Sequence, residues 1–91
     1  MYTVYAISSL IRNYIYVGLT SNIIERFLRH NIGRERTTRA YRPFKLIYAE
    51  NLPDRISARK REKYLKSGTG KEFLRTLRKK GEHGAGLSTD R

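Results

Sequence analysis

Residues 2–20 read Tyr-Thr-Val-Tyr-Ala-Ile-Ser-Ser-Leu-Ile-Arg-Asn-Tyr-Ile-Tyr-Val-Gly-Leu-Thr. Two runs within them, 2–8 and 14–19, are rich in β-branched and aromatic side chains, the types that fit a pleated, half-buried surface. The residues that separate them include Ser9, Arg12 and Asn13, a polar composition suited to a turn, so the stretch predicts a β-hairpin. Alternation along the second strand sets Tyr14, Tyr16 and Gly18 on one face.

Outward from the hairpin, Thr20 or Ser21 can cap a helix beginning at Asn22. On that helix Ile23, Ile24, Phe27 and Leu28 share a face, Glu25, Arg26, Arg29 and His30 point elsewhere, and Gly33 ends it. Arg34, Arg36, Arg39 and Arg42 follow without periodicity, as a basic loop, and Pro43 marks the start of a third strand over 44–49. Asn51 to Asp54 is turn chemistry, with Asp54 capping a helix over about residues 55–67 that Gly68 stops. Thr69-Gly70-Lys71-Glu72 matches a capping box that opens a short helix through Phe73, Leu74 and Leu77. From residue 81 the apolar pattern is lost, and 81–91 reads as a flexible C-terminal tail. The order strand, strand, helix, strand, helix, helix predicts an α+β fold, a three-stranded antiparallel sheet flanked by helices, in one domain over residues 1–80.

Ninety-one residues can build one modest core and leave no room for a bulky enclosed cofactor. Twenty Lys and Arg against eight Asp and Glu leave a formal charge of +12, a field that attracts phosphate backbones. Membrane binding would want an unbroken apolar face on a basic helix, which is not found, and the longest apolar run, Tyr14 to Leu19, cannot span a bilayer. Without cysteine there is no disulfide framework or thiolate metal site, and the N-terminus does not read as a secretory signal. Nucleic acid is therefore the expected partner and the cytoplasm the expected location.

The charge is concentrated. Residues 26–45 hold seven basic groups and one acid, residues 55–80 eleven and two, whereas the first twenty hold only Arg12. Cations beside a tyrosine-rich hairpin are what a nucleic-acid groove needs, for phosphates and for the faces of sugars or bases. Glu62 is a single carboxylate among Arg55, Arg59, Lys60, Arg61, Lys63, Lys66 and Lys71. It reads either as a ligand for a hard cation beside phosphates or as an i,i+4 partner of Lys66. Arg26 and His30 are likewise one helical turn apart and can face one phosphate.

Thr3-Val4-Tyr5 and Tyr16-Val17-Gly18, with Tyr5 and Tyr16 eleven residues apart, are followed by Glu25-Arg26-Phe27-Leu28-Arg29-His30-Asn31. Together these resemble the two half-motifs and first helix of the GIY-YIG nuclease family. Arg42 to Tyr48 and Ala58 to Gly68 extend the resemblance to the small stand-alone bacterial members related to the N-terminal cleavage domain of the nucleotide-excision nuclease. It covers residues 2 to about 77. Thr3 stands in place of the first glycine, Leu19 where some members carry a nearby lysine, and the asparagine that some members carry beyond the glutamate has no counterpart.

The resemblance implies a metal-dependent phosphodiesterase centre with Tyr5, Tyr16, Arg26 and His30 as catalytic residues and Glu62 as ligand of Mg²⁺ or Mn²⁺. In that reading Tyr5 or Tyr16 is the base, its phenol acidified by the surrounding cations; Arg26 clamps the transition state; and His30 positions a phosphate or relays a proton. Arg34, Arg36, Arg39, Arg42, Arg59, Lys63 and Lys66 would bind the nucleic acid. The expected activity is endonucleolytic cleavage of DNA, selective for structure rather than sequence, in repair or processing. RNA is the other substrate considered, and a protein partner could deliver the target. The competing expectation is a non-catalytic basic module, binding DNA or RNA, that keeps the nuclease fold.

Overall fold

The computed structural model describes residues 1–87, with side chains described through residue 80. The hairpin expected from residues 2–20 forms: β1 (Tyr2–Ser9) pairs antiparallel with β2 (Ile15–Thr20). On its other side β1 pairs antiparallel with β3 (Phe44–Leu52), giving the order β2-β1-β3. The central strand is buried from Thr3 to Ser9, as a strand must be when it is paired on both edges and covered on both faces.

The alternation of β1 divides the core in two. Val4 and Ala6, with Val17, face Ala58 and Leu65 of α2 (Arg55–Lys66) and Leu74 of α3 (Gly68–Leu87). Tyr5, Ile7 and Phe44 face the opposite way, where Tyr14, Tyr16 and Tyr41 join Ile23 and Phe27 of α1 (Ile23–Asn31). The second layer holds most of the aromatic rings and is the layer of the candidate site. Among the described residues no helix is long and apolar enough to cross a membrane.

Several boundaries differ from the sequence expectation for local reasons. Asn22 itself caps α1, its Oδ1 accepting from Glu25 N at 3.1 Å. Gly33 does end the helix, at φ +84°, with Gly33 N donating to His30 O and Arg34 N to Arg29 O, the paired bonds of a Schellman turn. Strand β3 runs on through Asn51 and Leu52, because β1 offers partners as far as Tyr2 and Thr3. Asp54 caps α2 as expected, accepting from Ser57 N at 2.8 Å. The capping box at Thr69 is not used. Helix α3 starts at Gly68, and Ser67 serves it instead, its Oγ accepting from Gly70 N. Gly70 is what lets the helices turn so sharply, since a Cβ there would lie 2.1 Å from Tyr64 O. The expected tail falls on residues without described side chains, and 88–91 lie outside the described residues altogether.

The basic loop is more ordered than its composition suggests. It contains a 3₁₀ turn at Arg39–Tyr41, and Tyr41 stacks on Tyr14 with ring centroids 3.9 Å apart. Ser9 Oγ donates to Tyr41 O at 2.6 Å, and Phe44 N donates to Asn31 Oδ1 at 2.6 Å. The loop is thereby tied to both the hairpin and α1.

Candidate active site

Tyr5 stands in the middle of β1 and is fully buried. Its phenol lies 2.8 Å from His30 Nε2, and His30 Nδ1 lies 2.8 Å from Thr38 Oγ1. His30 and Thr38 are also fully buried, so the three form a closed relay in which one ring nitrogen donates and the other accepts. Burial lowers the pKa of His30, with Arg26 and Arg29 pushing the same way and Glu35 opposing them, so the imidazole is neutral at pH 7.

Burial corrects two expectations. His30 lies on the inward face of α1 with Ile23 and Phe27, at i, i+4, i+7 spacing, while Ile24 and Leu28 are exposed. It therefore cannot touch a phosphate beside Arg26; it can act only through Tyr5 and Thr38. The surrounding cations also fail to acidify Tyr5. Desolvation raises its pKa well above the usual value, and the charge of Arg26 offsets this only in part.

Tyr16 is half-buried on edge strand β2, its ring centroid 6.3 Å from Tyr5 and 5.1 Å from His30. Gly18, directly opposite Tyr5 in the ladder, makes this arrangement fit. A Cβ there would come within 2.5 Å of the Tyr5 oxygen and 2.9 Å of a Tyr16 ring carbon. The Tyr5 ring leans over β2 only because that position lacks a side chain.

Arg26, near enough for its charge to act on Tyr5 and His30, is 3.3 Å from Glu35 Oε2 through Nε, and Arg29 Nε donates to the same oxygen at 2.8 Å. These residues line a concavity of about 370 Å³ together with Thr20, Asn22 and Glu25. Glu35, whose pKa is lowered chiefly by the Arg29 hydrogen bond, is ionised there at neutral pH.

Glu62 projects from α2 and is buried despite its charge. Arg59 Nη1 lies 3.4 Å from one carboxylate oxygen and Lys66 Nζ 3.2 Å from the other, so the i,i+4 pair is real. The same carboxylate lines a groove of about 560 Å³ together with Arg55, Ile56, Arg59, Lys60, Lys63 and Lys66. Among the described residues no group of three or more His, Cys, Asp or Glu could enclose a metal. One carboxylate facing a cation-walled groove fits Mg²⁺ or Mn²⁺, which take few protein ligands and fill the remainder with water and phosphate oxygens. It does not fit a structural zinc site.

The fold thus gathers Tyr5, Tyr16, Arg26 and His30 around one point, and Arg26, Glu35 and Glu62 are all close enough for their charges to act on the Tyr5 phenol. Arg59, Lys63 and Lys66 share the α2 groove with Glu62. Arg34, Arg36, Arg39 and Arg42 are exposed around the helix end at Gly33, where Arg42 donates to Arg39 O. Sequence reasoning missed Thr38, Arg29 and Glu35. A threonine in an arginine-rich loop gives no sign of burial, and the ion pairs of Glu35 depend on the Schellman turn folding the loop back over α1.

The GIY-YIG catalytic domain family model matches residues 1–77. The chain is 43% identical over 74 residues to a UPF0213 protein of Desulfotalea psychrophila, covering 77% of this chain and 64% of that protein. It is 37% identical over 70 residues to a UPF0213 protein of Pediococcus pentosaceus, covering 76% and 74% respectively. A UPF0213 protein of Clostridium perfringens is 34% identical over 67 residues, covering 72% of each chain. No solved structure is a significant match.

Proposed function

Because the chain belongs to the GIY-YIG catalytic domain family, a nuclease-type family, we propose that it is an endonuclease that hydrolyses DNA phosphodiester bonds with Mg²⁺ or Mn²⁺ held at Glu62. The cation, when bound, supplies Lewis-acid polarisation of the phosphate and stabilises the leaving oxygen. The chain's own residues do the rest. Arg26 neutralises charge developing on the phosphoryl oxygens from a packed helix, where its position is preorganised. Tyr16 is assigned the base because it reaches solvent at the sheet edge, whereas Tyr5 is buried with its phenol held protonated. Tyr5, His30 and Thr38 position Tyr16 and line the site with a neutral, dry wall. The groove cations Arg59, Lys63 and Lys66 and the loop cations Arg34, Arg36, Arg39 and Arg42 follow the backbone of the substrate. A role in DNA repair or processing, with a partner protein delivering structured substrates, is part of the same proposal.

The observation that carries this reading is the convergence of two tyrosines, an arginine and a buried carboxylate from four different elements about the Tyr5 phenol. Its test is a cleavage assay on single-stranded, duplex and branched DNA, and on RNA of matched sequence, with and without Mg²⁺. Metal-stimulated cutting of DNA supports the proposal. Binding without cutting on every substrate would instead identify a nucleic-acid-binding module with a nuclease fold.

A further inference from the structure

Arg26 and Arg29 sit one helical turn apart on α1, and a single oxygen of Glu35 lies 3.3 Å from one Nε and 2.8 Å from the other. Three observations mark this as a place built for an anion from outside. Arg26 Nε is buried yet has no aligned acceptor, one of two such side-chain atoms among the described residues. The three side chains remain partly open, 33%, 46% and 21% exposed, on a concavity of about 370 Å³ that faces solvent. Finally, two guanidiniums here meet only one oxygen of one carboxylate, whereas a phosphodiester presents two non-bridging oxygens to such a pair.

We infer that Arg26 and Arg29 together form the subsite for a backbone phosphodiester, and that Glu35 fills it as an internal anion until nucleic acid displaces it. The identity of the ligand rests on the nuclease reading; the competition itself does not. Glu35 is tethered through the Schellman turn at Gly33, so it competes at the high effective concentration of an intramolecular ligand. It stays ionised at neutral pH, so the subsite is masked under ordinary conditions. Arg29 becomes a binding residue, and Glu35 sets how strongly a phosphate must bind to enter.

The test measures binding of a short fluorescein-labelled DNA duplex by anisotropy in EDTA over a range of salt, where no metal-dependent cutting interferes. Glu35→Gln, which keeps shape and removes charge, should bind about three- to tenfold tighter, the scale of two partly exposed ion pairs. Its log-affinity against log-salt slope should steepen by about one unit. In Glu35→Gln/Arg29→Ala that gain should disappear. Glu72→Gln on α3 removes the same charge elsewhere, from a pair with Arg75, and should show a much smaller gain. The inference is overturned if Glu35→Gln binds no tighter than the parent, if its gain persists without Arg29, or if Glu72→Gln matches it. Should Glu35→Gln fail to fold, Arg29→Ala decides alone, and an unchanged salt slope overturns the clamp. If the parent binds DNA but cuts none with Mg²⁺ or Mn²⁺, the nuclease reading fails while this comparison still stands.

Discussion

Gly18→Ala is the sharpest structural test of the site, because the added methyl has nowhere to go. It would lie 2.5 Å from the Tyr5 oxygen, 2.6 Å from Cζ and 2.9 Å from a Tyr16 ring carbon, against about 3.5–4.0 Å for an ordinary contact. The Tyr5 ring would have to retreat by about 1 Å. It is fully buried on a strand paired along both edges, and its oxygen is tied to His30 at 2.8 Å. Overpacking of this kind costs about 1–3 kcal/mol. Loss of the phenol–imidazole bond adds about 1 kcal/mol, and relief of the strand-glycine penalty returns roughly 0.5–1 kcal/mol. The net is a destabilisation of about 2 kcal/mol, or roughly 8–16 °C in Tm for a domain of this size. Thermal unfolding followed by circular dichroism reads the loss directly. In a Tyr5→Leu background the two closest contacts are gone and only the Tyr16 ring has to shift, so the same substitution should cost less by about 1 kcal/mol or more. A Tm within about 2 °C of the parent for Gly18→Ala, with DNA cleavage unchanged, would refute the crowding argument.

Arg26→Ala should slow cleavage at saturating DNA by about 100-fold or more, in addition to the weaker binding that follows from losing half of the Arg26–Arg29 subsite, as measured by single-turnover kinetics beside anisotropy. Replacing three of the exposed loop arginines, Arg34, Arg36 and Arg39, should leave the rate at saturating DNA near the parent's while flattening the log-affinity against log-salt slope by about 2 to 3 units. The pH dependence of stability follows from His30, whose folded pKa is below its unfolded value. Between those values the unfolded chain binds more protons than the folded one, so stability should fall as pH drops from 7 through about 6.5 and continue to fall to the folded pKa. Chemical denaturation at pH 7.5, 6.5 and 5.5 measures it (about one unit apart to bracket the transition), and His30→Gln should flatten that stretch of the curve.

The sheet was legible because its signals are local. The hairpin shows in β-branched and aromatic runs, and the Tyr14–Tyr16–Gly18 face follows from alternation alone; both are present in the structure. The inward face of α1 was harder, since Ile24 and Leu28 fit helical spacing as well as Phe27 and His30 do, and the chain spends its aliphatic pair on the outside. Counting apolar residues favours the wrong stripe whenever a polar residue is buried for its hydrogen bonds, as His30 is between Tyr5 and Thr38. The α3 cap failed for a related reason: Ser67 and Thr69 are both competent caps, and the choice is made by Gly70 packing under Tyr64 O. Glu35 is a further step removed, an acid in a basic loop whose partners are set by how that loop folds back.

The central claim, that a metal held at Glu62 drives phosphodiester hydrolysis, is tested most directly by Glu62→Gln beside the parent in a single-turnover assay across a Mg²⁺ titration. Gln keeps the side chain's shape in the lining of the α2 groove and removes only its charge. The account predicts metal-dependent cleavage by the parent, no cutting in EDTA, and a variant slower by about 10²–10³-fold at saturating DNA, not restored by added Mg²⁺, while its DNA affinity is equal or higher. A variant that cuts at the parent's rate, or a parent that cuts as fast in EDTA, would contradict it.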